Sequence, residues 1–412
     1  MIDLAALRHH EDDIVARILK KDPSFDVQAL VDSDKAYRAI LLEVESLREA
    51  KNKCADQAKT GFTDAIRLES IEIGKQLKEK EVILKSVEAE FKALYASCPN
   101  PAEIDIPSGN KEANVVVREF GSKKSFDFQP QSHVELGNAL AWFDFEAAAR
   151  MTGSNFALYK GDAVKLLYSL THLMLKNNIK FGFHPILPPY LVNTKSLEAA
   201  GQLPKFADGV YKVENEDLYL SPTSEVNLTN MYRDTILDRG QLPVRMTSWT
   251  SCFRREAGGY GSAERGLIRI HEFEKLELYS IVTPEESAQE LDKMVAAAEN
   301  ILQMLGLHYR VSLLAAQDTS FQSVKTYDIE VWMPGQKAYY EVSSASNCHA
   351  FQARRGGIRY RECIGGKTFY AHTLNASSLA LPRLMVALME TYQQADGSIE
   401  LPDIIKSQGL FE

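Results

Sequence analysis

Apolar and small positions recur at alternating steps of three and four from Leu30: Leu30, Ser33, Tyr37, Ile40, Val44, Leu47, Lys51, Cys54 and Ala58. After Lys59-Thr60-Gly61 the same spacing resumes through Ile66, Ser70, Ile73, Leu77, Lys80, Leu84, Val87, Phe91 and Leu94. Two heptad helices broken by a glycine turn must fold back as an antiparallel coiled-coil hairpin. At the rise of an α-helix each arm is roughly 40 to 50 Å long. Lys51 and Lys80 interrupt the seam, a cost in stability that can set register. Upstream, Met1 to Phe25 reads as a short amphipathic helix ending near Asp22-Pro23. Cys98-Pro-Asn-Pro101 stops the second long helix, because proline cannot continue it.

Beyond Gly121 the patterning changes. A helix is expected over Ala163 to Asn178, then short strands alternate with helices and turns from Gly182 onward. Phe183 to Val192 reads as a strand bearing Pro188 and Pro189, and Leu218 to Glu225 as a strand opening onto a helix at Val226. Pro284 to Leu305 reads as a helix with Gly306 after it, Asp328 to Met333 and Tyr339 to Ser346 as strands, and Thr373 to Asn375 as a strand end feeding an amphipathic helix. The pattern divides the chain into a helical arm (1–98), a linker (99–121) and an α+β domain (122–412).

The densest charge lies in Thr250 to Leu278. A strand-like run leads into a glycine-rich loop, Ala257 to Gly266, and returns as a strand from Leu267 to Leu278. Arg265 is in the loop and Arg254, Arg255 and Arg269 flank it, with Glu256, Glu274 and Glu277 among them. A hairpin of this kind suits a polyanion, since guanidinium meets phosphate or carboxylate through two parallel hydrogen bonds. Spacing alone fits a surface hairpin with ordinary salt bridges equally well. Thr223 and Glu225, at a helix start, read by themselves as a helix cap.

Composition narrows the class. The 412 residues allow two or three domains with a large core. The net charge of -9 argues against indiscriminate coating of nucleic acid, but leaves room for local basic patches on a structured RNA. Cys54, Cys98, Cys252, Cys348 and Cys363 form no CxxC pair, which fits reduced thiols in the cytoplasm. No secretory signal is read at the N-terminus, and no apolar run approaches the ~20 residues that span a bilayer, so no membrane partner is expected.

The order Phe253-Arg254-x-Glu256, a variable loop, then Arg269-x-x-x-Phe273 resembles motif 2 of the class II aminoacyl-tRNA synthetases. The text around it, RGLIR followed by H-x-F-x-K-x-E, is similar to that of the seryl-tRNA synthetase family, as are the N-terminal arm, Thr223-x-Glu225, Glu341-Val-Ser-Ser344 and Phe351-Gln-Ala-Arg-Arg355. The resemblance implies a catalytic domain on an antiparallel sheet flanked by helices. It implies ATP binding by Arg254, Arg255, Glu256, Phe273, Glu341, Val342, Ser343, Ser344 and Arg383, with Arg254 and Arg383 catalytic. It implies Mg²⁺ on Glu341 and Ser344, and L-serine on Thr223, Ser224, Glu225, Glu277, Asn375 and Ser377. It further implies a homodimer formed near Phe183 to Val192, and tRNA(Ser) bound by the arm; tRNA(Sec) is left open as a second acceptor.

This chain departs from the family pattern chiefly at motif 3, and also at Ala345, where the family has cysteine, and at His349-Ala350, where it has Thr-Asp. The family has Asn-Gly-Ser-Gly and a glycine before the motif 3 arginine, where Ala376, Ser378 and Pro382 stand here. Alanine and serine tolerate positive φ poorly, and proline breaks a helix interior, so a reshaped site or a later helix start is expected. A paralogue acting on another acceptor, or inactive, is the alternative this leaves. Gly366-Lys-Thr368 lacks the leading glycine of a phosphate-binding loop, and His9, His10 and the other histidines lack metal-ligand spacing.

Overall fold

The computed structural model describes residues 1–9, 11–61, 63–256 and 266–411. Arg265, His10 and most of the expected glycine-rich loop therefore lie outside the described residues. The chain separates into two compact units, Ile2–Pro99 and Asn100 onward, with Met1 grouped with the second.

The first unit is helical: α1 (Leu4–His9), α2 (Glu11–Lys21), α3 (Val27–Thr60) and α4 (Asp64–Ser97). The described part of the expected N-terminal helix, Leu4–His9 and Glu11–Lys21, is helical on both sides of His10. α3 and α4 have 34 residues each, about 50 Å at 1.5 Å per residue. Asp26 and Thr63 cap their N-termini by accepting from Ala29 N–H and Ile66 N–H. Of the expected seam positions only Lys51 is exposed. Lys80 instead pairs with Glu43 of the opposite helix at 2.5 Å, and Arg48 with Glu81 at 2.7 Å, so the polar break lies beside ion pairs that tie the register. Near the base, Tyr37 stacks on Phe91 with centroids 5.1 Å apart, and Ile18, Leu30 and Leu7 close a small core.

The second unit begins with β1 (Val115–Phe120), followed by α5 (His133–Ala139), α6 (Phe145–Thr152) and α7 (Asp162–Lys180). Next come β2 (His184–Ile186), β3 (Leu191–Val192), α8 (Thr194–Ala200), β4 (Tyr219–Leu220), α9 (Ser224–Asn230) and β5 (Ile236–Asp238). The long strands β6 (Val244–Phe253) and β7 (Glu272–Val282) precede α10 (Ser287–Met304). The chain continues through β8 (Tyr309–Leu313), β9 (Lys325–Met333), β10 (Ala338–Asn347), α11 (Phe351–Gly356), β11 (Arg359–Arg361) and β12 (Thr368–Tyr370). It closes with β13 (His372–Ala380), α12 (Leu381–Tyr392) and α13 (Asp403–Lys406).

Eight strands form one sheet in the order β1-β8-β9-β10-β13-β7-β6-β2, antiparallel except for β2 beside β6. The stretch expected to be a linker, 99–121, therefore supplies the edge strand β1, which pairs Val115 with Leu313. The motif 1 strand is likewise not continuous: β2 and β3 flank Leu187-Pro188-Pro189-Tyr190, because proline cannot donate to a ladder.

The period of two along β7 decides where chemistry can sit. Leu276, Leu278 and Val282 point into the main core with buried side chains of α7, α10 and α12, such as Met174, Leu302 and Leu388. Tyr279 and Ile281 point the other way, into a second core with Leu228 and Met246. Phe273, Lys275 and Glu277 share that second face but line a cavity.

Candidate active site

The cavity is about 630 Å³ and opens on the face of the sheet away from the main core. β7 supplies Phe273, Lys275 and Glu277; β13 supplies Asn375 and Ser377; β10 supplies Glu341, Ser344 and Ser346. Thr223 and Glu225 arrive from the start of α9, Arg254 and Glu256 follow β6, and Arg383 comes from the first turn of α12. Two strands bulge beside the cavity, between Glu341 and Ser343 and between Ser377 and Leu379. A bulge lets two successive positions oppose one, which re-aims the side chains on either side. Glu341 and Ser344, of opposite parity, thereby face the same space.

One end of the cavity is a buried polar cluster. Thr223 Oγ1 accepts from Glu225 N–H at 3.2 Å, so the helix-cap reading holds, and the same hydroxyl faces the cavity. It also accepts from Lys275 Nζ at 2.8 Å and donates to Glu277 Oε2 at 2.8 Å. Lys275 and Glu277 form a direct ion pair, with both side chains almost fully buried. Glu225 Oε1 accepts from Gln352 Nε2 at 2.6 Å, Asn375 Nδ2 at 3.1 Å and Gln322 Nε2 at 3.4 Å. Burial, and next the Glu277 charge, push the Glu225 carboxyl up to about 7.

The other end is cationic. Arg254 Nε donates to Pro222 O at 3.2 Å and its guanidinium lies 5.2 Å from the centroid of the Phe273 ring. Glu256, at φ +47, pairs with Arg269 at 2.7 Å. Arg383 Nε donates to Ile268 O at 3.2 Å, and its Nη1 to Glu341 O at 2.8 Å. Arg383 stays 3.6 Å from the Glu341 carboxylate, so the two charges are neighbours on one rim.

Oxygen donors for a hard cation gather on that rim. Glu341 and Ser344 line it, and Asp328, paired opposite Ser344 on β9, has an Oδ1 shielded from solvent with no hydrogen-bond partner. Burial and the Glu341 charge hold the Asp328 carboxyl well above the usual range, which a nearby cation would reverse. Among the described residues no group of three or more His, Cys, Asp or Glu side chains could hold a metal alone. A few oxygens that leave room for phosphates and waters suit Mg²⁺.

Several expected residues fall elsewhere. Arg255 is exposed and outside the cavity lining; its backbone N–H donates to Gly209 O. Val342 is buried in the main core, because it is the extra residue of its bulge. Ser343 Oγ donates to Ser377 O between strands, and Ser224 is buried in the first turn of α9. Glu274 lies on the opposite face of β7 from Glu277, where Ser251 Oγ donates to it. The return strand starts at Glu272 rather than Leu267, since the preceding residues spend their polar groups on Arg383 and Glu256.

Lys275, Gln322 and Gln352 were missed by sequence reasoning. Lys275 was visible as the period-two neighbour of Phe273 and Glu277. Gln352 lies within the Phe351-Gln-Ala-Arg-Arg355 match, but it and Gln322 come from distant segments and no local period directs them to Glu225.

The departures at motif 3 require no positive φ, although Ser378 is the extra residue of the β13 bulge. Ala376 and Ser378 lie inside β13 with no positive φ. Ala376 packs in the core, and Ser378 Oγ donates to Asn178 Oδ1 at 3.0 Å. Pro382 sits in the first turn of α12, where no intrahelical N–H is needed.

Comparison with known proteins follows the same division. The family model of the seryl-tRNA synthetase N-terminal domain matches residues 1–102, and that of the class II core domain of tRNA synthetases (G, H, P, S and T) matches 210–392. The serine–tRNA ligase of Desulfotalea psychrophila is 42% identical over 418 residues, 98% of each chain. That of Nitratidesulfovibrio vulgaris is 41% identical, covering 98% of this chain and 97% of the relative. Among solved structures, seryl-tRNA synthetase from Pyrococcus horikoshii complexed with ATP superposes with a TM-score of 0.92 at 32% identity, over 99% of this chain and 98% of that one. The cytoplasmic serine–tRNA ligase of Naegleria fowleri, in complex with AMP, gives 0.82 at 23% identity over 98% and 93%, a likeness of fold.

Proposed function

Because this chain belongs to the seryl-tRNA synthetase family, we propose that it activates L-serine with ATP and transfers the seryl group to the 3′ end of tRNA(Ser). The observation that carries the assignment of residues is that Arg254, Arg383 and Glu277 line a single cavity, cationic at one end and polar and buried at the other.

In the first step a serine carboxylate oxygen attacks the α-phosphorus, and the bond to the departing pyrophosphate breaks. In the second, a ribose hydroxyl of the tRNA attacks the carbonyl of the adenylate, and AMP leaves. Neither step needs a protein nucleophile. Arg254 and Arg383 neutralise charge on the phosphates, and Phe273 offers its ring face to adenine with Glu256 at its edge. Mg²⁺ held by Glu341 and Ser344, with Asp328 behind them, supplies further charge neutralisation when bound.

Thr223, Glu225, Glu277, Asn375 and Ser377 form the serine end. The Thr223–Lys275–Glu277 cluster is already hydrogen-bonded, so a substrate hydroxyl joins a fixed set of donors and acceptors. Alanine would leave such groups unpaired, and discrimination of roughly 10⁴ is within reach of sites built this way.

The proposal includes binding of tRNA by the arm, a homodimer and a cytoplasmic location. Leu187, at 76% exposure, and the exposed Tyr190 and Leu191 support an interface at the expected place. No disulfide joins any of the five cysteines, and among the described residues no helix is long and apolar enough to cross a membrane. Use of tRNA(Sec) belongs to the same proposal as an acceptor to be assayed. Nothing at Ala376, Ser378 or Pro382 favours an inactive paralogue.

Serine-dependent ATP–pyrophosphate exchange tests the reading. Wild type exchanges label with serine and not with alanine. Glu277→Gln keeps the shape but removes the charge facing Lys275; exchange falls at least 100-fold while ATP binding, measured by calorimetry, persists. Unaltered exchange refutes the role of Glu277.

A further inference from the structure

One buried acid takes no part in the chemistry above. Glu390 on α12 and His133 at the start of α5 are almost completely buried, and neither lines the cavity. Glu390 accepts from the backbone N–H groups of His133 at 3.0 Å, Gly335 at 2.9 Å and Gln336 at 3.2 Å, and from Gln336 Nε2 at 3.0 Å. Its Oε1 is also 3.2 Å from His133 Nδ1. The other ring nitrogen, Nε2, lies 3.2 Å from the backbone nitrogen of Leu267. A backbone N–H can only donate, so Nε2 must be the acceptor. The imidazole proton is then on Nδ1, facing Glu390, which fixes the tautomer.

Leu267 opens the segment whose next residues touch the site. Ile268 O receives Arg383 Nε at 3.2 Å, and Arg269 holds Glu256 at 2.7 Å. Arg383 and Glu390 are seven residues apart on α12, two turns along the same side. The contacts therefore close a ring: Arg383 to Ile268, Leu267 to His133, His133 to Glu390, and back along the helix to Arg383. Gly266 supports the close approach independently. It has φ +65, and a Cβ there would fall 2.3 Å from His133 Nε2.

We infer that His133 and Glu390 are a positioning pair: they pin Leu267, so that Ile268 and Arg269 hold Arg383 and Glu256 at the nucleotide end of the cavity. The inference rests on the reading of this cavity as the site of serine activation. Neither residue touches substrate. Their effect passes through one hydrogen bond and should fall on ATP rather than on serine, whose proposed partners lie at the other end.

The experiment is pyrophosphate exchange on the full chain, with KM measured separately for ATP and serine and the melting temperature measured for each variant. His133→Asn keeps an amide nitrogen near the place of Nδ1 but offers Leu267 no acceptor; KM for ATP rises about tenfold while KM for serine stays within about twofold. His133→Gln reaches the position of Nε2 with its carbonyl oxygen and recovers most of that rise. Gly266→Ala displaces the imidazole from the other side and reproduces the ATP-specific increase.

An unchanged KM for ATP in both His133→Asn and Gly266→Ala overturns the inference. So does a parallel rise for both substrates with His133→Gln no better than His133→Asn, which marks a merely structural pair. Should His133→Asn not fold, Gly266→Ala and His133→Gln decide the matter by the same split. A wild type without exchange removes the functional reading and this inference with it; a wild type that exchanges beside silent variants removes the inference alone.

Discussion

At Glu225, burial and the charge of Glu277 both oppose ionisation, and the Lys275 charge with the hydrogen bonds from Gln352 and Gln322 only partly offsets them. With the acid pushed up to about 7, the ligand-free site is largely protonated at mildly acidic pH. If Glu225 receives the serine ammonium, binding selects the carboxylate. The proton must then leave first, so the apparent KM for serine climbs toward tenfold per pH unit as pH falls below about 7 and is flat between about 7 and 8.5. KM for ATP does not follow this slope. Glu225→Gln abolishes it and raises KM for serine throughout. Exchange rates across pH 5.5 to 8.5 decide the point; a serine KM that ignores pH excludes Glu225 from the ammonium.

Ser378 is a different kind of residue: it departs from the family pattern yet is used. Its hydroxyl meets Asn178 in the buried space between β13 and α7. Ser378→Ala removes a donor from a buried amide oxygen and costs about 1 to 2 kcal/mol, read as a lowered melting temperature with unchanged exchange kinetics. A loss of exchange without a loss of stability would mean that Ser378 acts on the cavity instead.

At the scale of elements, what could be read in advance was what repeats locally. The heptad seam of α3 and α4 was legible because each buried position announces itself every three or four residues. The odd-numbered face of β7 was legible in part: Phe273 and Glu277 were assigned, and Lys275 between them was not. Bulges hid the rest. Glu341-Val-Ser-Ser344 looks like a strand whose alternate residues share a face, yet the extra residue at Val342 buries that side chain and turns Ser343 toward Ser377. Gln322 and Gln352 converge on Glu225 from about 100 and 130 residues away, beyond any local period. Pro382 is accommodated for an element-scale reason: β13 runs on through Ala380, so the proline falls at a helix start. Pro382→Ala should therefore change the melting temperature by no more than about 1 kcal/mol allows. A larger fall would show that the ring itself packs against the site.

At the scale of the molecule, the two units carry separate cores. The arm closes on Ile18, Leu30 and Phe91, whereas the sheet domain buries its own helices against β7 and β13. In the proposed reaction, adenylate formation uses only cavity residues of the second unit. Transfer adds a large polyanion whose acceptor end must enter that cavity while its body is held elsewhere. Binding energy gathered far from the reacting bond is expressed as positioning at it. Deleting residues 2–99 should thus leave serine-dependent pyrophosphate exchange within about threefold of wild type and lower kcat/KM for charging of tRNA(Ser) by at least 100-fold, the size expected when an extended polyanion contact is removed. Rising salt should weaken charging by the intact chain far more than exchange, since only the former depends on many phosphate contacts. Equal losses in both reactions would mean that the arm supports the fold of the catalytic unit; retained charging would mean that the tRNA is held by the sheet domain alone.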